Sequence, residues 1–170
     1  MRNTYLVVEV LLLMLLQIVF WNFLNLSQLV VLCFLPAIIL CLPIDTRPVI
    51  SMLLAVAISF IVDFFSHGVM GLTAVALLPV AYLRPFIIRL VFGSELFARD
   101  EDISFAGQGV MKMMLAVSIC TILFFIIYVW VDSAGTRTGI FNLARLVLSS
   151  IVSILVSLGV SAVLTSERWR

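Results

Sequence analysis

The sequence predicts an all-α fold, a single transmembrane domain over residues 1–170 that forms a polytopic integral membrane bundle of about six transmembrane helices. Hydrophobic residues make up 64% of the chain and charged residues 11%, whereas soluble domains average about 45–50% and about 25%. A helix needs roughly 20 apolar residues to cross a bilayer, and such stretches follow one another almost without interruption. This composition excludes a soluble catalytic domain, a nucleotide-binding fold and a DNA-reading module.

Turn and interface residues divide the chain into spans. An aromatic cluster at 20–23 suits the membrane interface at the end of the first span. The second span is short and contains Pro36, and a polar turn at 43–48 separates it from the third. A Ser-His-Gly link at 66–68 precedes the fourth span, and the longest polar stretch, 93–112, precedes the fifth. The predicted spans are 4–21, 28–42, 49–65, 69–92, 111–131 and 140–165.

The distribution of basic residues predicts the orientation of the bundle. With six crossings, one side of the membrane collects Arg2, Arg47, Arg84, Arg89, Arg99, Lys112, Arg168 and Arg170, and the other only Arg137 and Arg145. Because cytoplasmic loops carry the excess of Lys and Arg, both termini are predicted to be cytoplasmic. A re-entrant second span would leave five crossings, separate the termini and weaken this bias.

Two ladders place small or polar residues at every fourth position. The ladder in the third span is Arg47, Ser51, Ala55, Ser59 and Asp63, and the ladder in the sixth is Arg145, Ser149, Ser153, Ser157, Ser161 and Thr165. Residues at this spacing form one ridge of a helix, and small hydroxylated residues let membrane helices approach closely. The ladders therefore predict helix–helix seams, with a polar substrate path as the alternative.

Charged residues within spans are costly and are usually paired or functional. Glu9 and two arginines, Arg84 and Arg89, lie at similar predicted depth, so we expect Glu9 to pair with Arg84 or Arg89. The alternative for the arginines is that their side chains snorkel to the headgroups. At the other side, Asp63 and Arg145 terminate the two ladders and are predicted to neutralise each other across a seam.

The sequence offers few other groups that could carry chemistry. Asp63 and Asp132 are the acidic residues of the outer side, and two carboxylates held close can act as general acid and base, so an intramembrane aspartyl protease is one hypothesis. The more ordinary role of Asp132 is a solvated interface residue. His67 is the single histidine, so spaced histidine ligands for a metal are lacking, and no cofactor is predicted. The cysteines lie in apolar runs and are interpreted as packing residues: Cys33, Cys41 and Cys120.

The junction between the third and fourth spans has the features of a tight reversal. Gly68 and Gly71 permit positive φ and a close approach of the backbone. Asp63 and Ser66 precede these glycines and are suited to accept hydrogen bonds from the free N–H groups at the start of the fourth helix. The sequence therefore predicts a capped turn here.

This junction resembles the signature of the MreD family of bacterial rod shape-determining membrane proteins. The similarity extends over residues 57–72, and its matching positions are Asp63, Ser66, Gly68 and Gly71, with Ala81-Tyr82-Leu83 downstream. In the first span, Leu16-Gln17-Ile18 followed by Trp21 is also similar. Chain length and span pattern agree throughout, while the second half contributes no further motif.

The resemblance implies a non-enzymatic membrane scaffold of the cell-elongation complex, linked to lateral peptidoglycan synthesis and regulation of cell shape. It implies an MreC-like bitopic protein as partner, with an MreB-type actin-like filament and a synthase of the SEDS and class-B penicillin-binding types as indirect partners. It also implies location in the bacterial cytoplasmic (inner) membrane and a fold like the substrate-binding subunits of energy-coupling-factor transporters.

A second function stays open beside the scaffold. In a small-molecule (vitamin-type) binding subunit of a membrane transporter, the serine ladder of the sixth span would line the pocket. Catalytic, cofactor and metal residues are not predicted in either case. The candidate structural and interaction residues are Asp63, Ser66, Gly68, Gly71, Glu9, Arg84, Arg89 and Arg145.

Overall fold

A computed structural model describes residues 2–23, 30–43, 46–66, 69–93, 109–133 and 139–166, with side chains in these ranges except at 2–7, 9, 163, 165 and 166. The helices are α1 (Arg2–Phe23), α2 (Leu35–Leu40), α3 (Pro48–Phe65), α4 (Leu72–Phe92), α5 (Val110–Ser133) and α6 (Gly139–Ser166). The predicted all-α architecture is therefore confirmed for the described part of the chain.

Four of these helices are long and apolar enough to cross a membrane: α3, α4, α5 and, within α6, Gly139–Ala162. In α1 the apolar stretch Val10–Phe23 is shorter. Large apolar side chains cover the outward faces of the bundle, as Leu12 on α1 and Leu155 on α6 illustrate with 61% and 67% exposure. Such surfaces are stable only in contact with lipid or another apolar partner. The prediction of a membrane protein is confirmed.

The second predicted span does not form a transmembrane helix. Residues 31–34 are not helical, and α2 has only six residues, a length of about 9 Å. The physical reason lies in Pro36, which stands in the first turn of α2. Proline is tolerated there but opposes extension of the helix towards its N-terminus, because it has no N–H to bond to the carbonyl four residues back and its ring clashes with that carbonyl. All six residues of α2 are buried, so this short helix lies inside the bundle.

Contacts between helix ends show how the bundle is arranged. The side-chain amide of Asn22 donates a hydrogen bond of 3.0 Å to the carbonyl of Phe65, which brings the last turns of α1 and α3 together. The rings of Trp21 and Tyr128 lie 6.4 Å apart and bring the last turn of α1 close to the C-terminal part of α5. Helices α1, α3 and α5 therefore finish at one end of the bundle, which we call the Asp63 end.

The interior is built around α2. Helices α3 and α4 pack together, as do α4 and α5, and α5 and α6, while α2 lies among α4, α5 and α6. Fully buried aromatic rings fill the space beside α2, and Phe124 stacks on Tyr128 with ring centroids 5.5 Å apart. Pro79 and Pro85 lie inside α4 without ending it, as membrane helices tolerate when neighbouring groups satisfy the freed carbonyls.

Candidate functional site

Residues 30–34, which we call the strap, run beside the serine ladder of α6. The Val31 N–H donates to Ser149 Oγ at 2.9 Å, and the Cys33 N–H donates to Ser153 Oγ at 3.0 Å. The Ser153 hydroxyl in turn donates to the Val31 carbonyl at 3.3 Å. The odd-numbered residues of the strap thus direct their backbone groups at α6.

The even-numbered residues of the strap bind the opposite side, which α1 provides. Gln17 is fully buried, and its amide donates to the Leu32 carbonyl at 2.9 Å and accepts from the Phe34 N–H at 3.0 Å. The Trp21 indole also donates to the Leu32 carbonyl. Backbone groups that alternate between two sides are characteristic of an extended chain. Residues 31–33 are therefore extended, with side chains of α1 and α6 as their hydrogen-bond partners. The extended stretch ends at Phe34, the N-cap of α2, whose φ is −113° and ψ is 9°.

The geometry of the ladder explains why serines can replace a strand. Four residues of helix rise about 6 Å, and two residues of extended chain rise about 6.6 Å. Successive serines of α6 therefore meet successive odd residues of the strap. The prediction that the ladder forms a helix–helix seam is wrong at Ser149 and Ser153, because the surface packed on them is an extended backbone.

The ladder of α3 behaves as predicted. Ser51, Ala55 and Ser59 are buried, and α3 packs chiefly against α4. Small residues at this seam allow the two helices to approach closely. Arg47, the first residue of this ladder, is exposed at the N-cap of α3.

Arg84 fixes the other end of the buried segment. Its Nε donates to the Leu40 carbonyl at 3.3 Å, and its terminal Nη2 donates to the carbonyls of Leu42 and Pro43. These acceptors lie at and just beyond the C-terminus of α2, where a cation complements both the free carbonyls and the helix dipole. Arg84 is only 3% exposed, so the snorkelling alternative is wrong for this residue.

The predicted pairing of Glu9 with an arginine lies outside the described side chains, because that of Glu9 is not among them. Arg89, the other proposed partner, is exposed near the end of α4, and both it and Arg84 take part in further interactions. The pairing stays a prediction.

Asp63 caps the start of α4, as the sequence predicts. Its Oδ2 accepts hydrogen bonds from the N–H groups of Gly71 at 2.9 Å and Thr73 at 3.2 Å. Gly71 has φ of +87°, a conformation that glycine adopts without steric cost. Ser66 does not share the cap, since its hydroxyl donates to the Val62 carbonyl one turn back in α3. Gly68, like His67, lies outside the described residues.

Arg145 pairs with Asp132 and not with Asp63. Its Nη1 forms an ion pair with Asp132 Oδ2, which joins the end of α5 to the first turns of α6. The prediction of an Asp63–Arg145 pair is wrong because Asp132, at the same end of the bundle, meets the guanidinium instead. The structure also gives the two carboxylates separate partners, one a pair of backbone N–H groups and one a guanidinium, so neither is arranged to share a proton with the other.

The described residues contain no group of three or more His, Cys, Asp or Glu side chains that could hold a metal ion. The three thiols are free and buried, and Cys33 belongs to the strap.

Sequence reasoning singled out the ladder and Arg84 but missed the strap. Gln17 entered only through the family resemblance, and Trp21 through the resemblance and as part of the aromatic cluster at 20–23. A glutamine within an apolar span is itself a signal, because a buried amide requires hydrogen-bond partners. In the second span, the signal for a non-helical segment was a short apolar run interrupted by a proline.

Comparison with known proteins gives no match: no protein-family model, no curated protein and no solved structure is significantly similar to this chain. The family resemblance therefore rests on the residues quoted above.

Proposed function

We propose that the chain is an MreD-like scaffold of the bacterial cell-elongation complex, without enzymatic activity of its own. The observation that supports this most directly is the arrangement of the residues that carry the resemblance. Asp63 and Gly71 build the capped reversal between α3 and α4, and Gln17 and Trp21 hold the strap. Residues far apart in sequence thus act at the same end of the bundle.

We propose six crossings of the cytoplasmic (inner) membrane, made by five helices and by the strap together with α2. Since α1 and α3 finish at the same end, the chain between them must return through the bundle. Exposed basic residues at the end opposite to the Asp63 end support cytoplasmic termini: Arg47, Arg89 and Lys112. In this topology the fold is like that of the substrate-binding subunits of energy-coupling-factor transporters.

The scaffold acts through its outward apolar faces, to which the transmembrane helix of an MreC-like bitopic protein binds. Holding that helix biases the arrangement of the synthase of the SEDS and class-B penicillin-binding types, and of an MreB-type filament, through indirect contact. A bound scaffold shifts a partner's equilibrium only by the difference between its affinities for the two states.

Affinity purification of the tagged chain in mild detergent, followed by mass spectrometry, tests the proposal. We expect the MreC-like protein and the synthase subunits to be recovered. Tryptophan substitution of one outward residue on each long helix maps the interface, since only the contacting helix should lose its partner: Leu12, Phe64, Phe86, Ile126 and Leu155, which are all exposed. Deletion of the gene should abolish the rod shape, and cells that keep a normal lateral wall would contradict the scaffold.

A transporter subunit is the second candidate, and one observation favours it. Ser157 on α6 and Thr121 on α5 are fully buried, and their hydroxyls have no hydrogen-bond partner among the described residues. Counted from the Asp132–Arg145 pair along two antiparallel helices, the two residues lie at the same depth. Recovery of ATPase and coupling subunits, with a small ligand that Ser157→Ala releases, would favour this function over the scaffold.

A further inference from the structure

The strap ends before it reaches the next serine of the ladder on α6. Val31 binds Ser149 and Cys33 binds Ser153, so the next residues in this series are Leu35 and Ser157. The chain turns into α2 at Leu35, and the Ser157 hydroxyl, fully buried, has no partner in the described part of the protein. Buried hydroxyls are normally hydrogen-bonded, so this one marks an unused position of the ladder.

Leu35 has helical backbone as the first residue of α2, although the proline that follows it disfavours that conformation. It precedes Pro36, and the ring of a proline disfavours helical backbone at the residue before it and favours extended backbone. In the observed state the Leu35 N–H is directed at the sulfur of Cys33, a weak acceptor. A hydroxyl is the stronger acceptor, and the one on Ser157 is the next along the ladder.

We propose that the boundary between the strap and α2 has a second position, in which Phe34 leaves its N-cap conformation, Leu35 is extended and the Leu35 N–H donates to the Ser157 hydroxyl. Pro36 has no N–H, so lengthening the strap through it exposes no further donor at that residue. The change breaks the bonds from the Ala37 and Ile38 N–H groups to the Phe34 carbonyl, of 3.1 and 3.4 Å. Two bonds are exchanged for one, so the extended boundary is the less populated state of the resting protein.

The second position would move α2 along the bundle axis. Two residues gain about 1.8 Å each when helical backbone becomes extended, so the body of α2 shifts by about 3.6 Å away from the Asp63 end. This shift would move the three carbonyls that accept hydrogen bonds from Arg84, which belong to Leu40, Leu42 and Pro43. The strap and α2 are thus a device that links the two ends of the bundle, whichever partner the protein binds.

Hydrogen–deuterium exchange of the full-length protein tests the proposal through the amides of Ala37 and Ile38, which are released in the second position. Ser157→Ala removes the acceptor that stabilises this state, so exchange at both amides should slow severalfold. A purely structural role for Ser157 predicts the opposite sign, because loosened packing speeds exchange. Ser161→Ala is the control, since the Ser161 hydroxyl donates to the Leu158 carbonyl of its own helix.

Pro36→Ala provides a second measurement in the same exchange experiment. It should slow exchange at Ala37 and Ile38 severalfold, because it removes the bias of the preceding residue towards extended backbone. Faster or unchanged exchange in Ser157→Ala, or exchange that is indifferent to Pro36→Ala, would overturn the proposal.

Discussion

Replacing Gln17 with leucine tests whether side chains sustain the extended backbone of the strap. The substitution keeps a similar volume and removes both hydrogen bonds of the amide. The Leu32 carbonyl keeps the Trp21 indole as donor, whereas the Phe34 N–H is left without an acceptor in a buried site. A buried unsatisfied donor costs about 1–3 kcal/mol, and the second lost bond adds about 0.5–1.5 kcal/mol. We therefore expect Gln17→Leu to lower the free energy of unfolding by about 2–4 kcal/mol.

The magnitude distinguishes two kinds of polar contact. An ordinary side-chain hydrogen bond between membrane helices contributes only about 0.6 kcal/mol on average, because the separated helices find other partners. The backbone of a non-helical segment has no such substitute in lipid, since its polar groups are not satisfied within the segment. Gln17 makes two hydrogen bonds, so two ordinary interhelical contacts would together contribute about 1.2 kcal/mol. A loss well above that value supports the strap, and a loss of about 1.2 kcal/mol or less would show that Gln17 makes ordinary interhelical contacts.

Unfolding of the purified protein in mild detergent by increasing fractions of sodium dodecyl sulfate, followed by circular dichroism, measures this loss. Leu15→Ala on the outward face of α1 is the control, because Leu15 is 61% exposed and its truncation should change stability by less than about 0.5 kcal/mol. If Gln17→Leu unfolds together with this control, the reasoning about the strap is refuted.

Three further predictions concern the polar contacts at the two ends of the bundle. Arg84→Lys should destabilise the fold by about 1–3 kcal/mol despite the retained charge, because an ammonium does not reproduce the planar guanidinium that reaches several carbonyls. The same detergent titration measures this loss, and stability equal to wild type would contradict the role of the guanidinium. Asp63→Ala should cost about 1–2 kcal/mol and Asp63→Asn less, since asparagine keeps one acceptor oxygen, so equal losses in the two variants would argue against a cap for α4. The stability lost in Arg145→Gln should be restored in part by Asp132→Asn but not by Asp63→Asn in double-mutant cycles. Energetic coupling of Arg145 to Asp63 instead would contradict the assigned pairing.

The fold was predictable where the relevant interactions are local in sequence. The boundaries of α3, α5 and α6 follow from apolar runs that end in polar turns, and the structure places them close to the predicted positions. The Asp63 cap was predictable for the same reason, since donor and acceptor are separated by eight and ten residues across one turn.

The strap was not predictable from hydrophobicity, because the hydropathy of an apolar run is the same whether the run is helical or extended. What distinguishes the two is the supply of hydrogen-bond partners, and these come from Gln17 on one side and from serines more than a hundred residues later on the other. The partner of Arg145 was wrong for a related reason. Two carboxylates lay at the same end of the bundle, and charge alone does not choose between them.

The strap also has a consequence for how the protein enters the membrane during synthesis. Its bonds to Ser149 and Ser153 join residues 118 and 120 positions apart, so the ribosome must add all the residues between them before these partners exist. An extended segment cannot rest in hydrocarbon with its polar backbone groups unpaired. The strap must therefore enter the membrane after α6, or be shielded by the insertion machinery until α6 arrives.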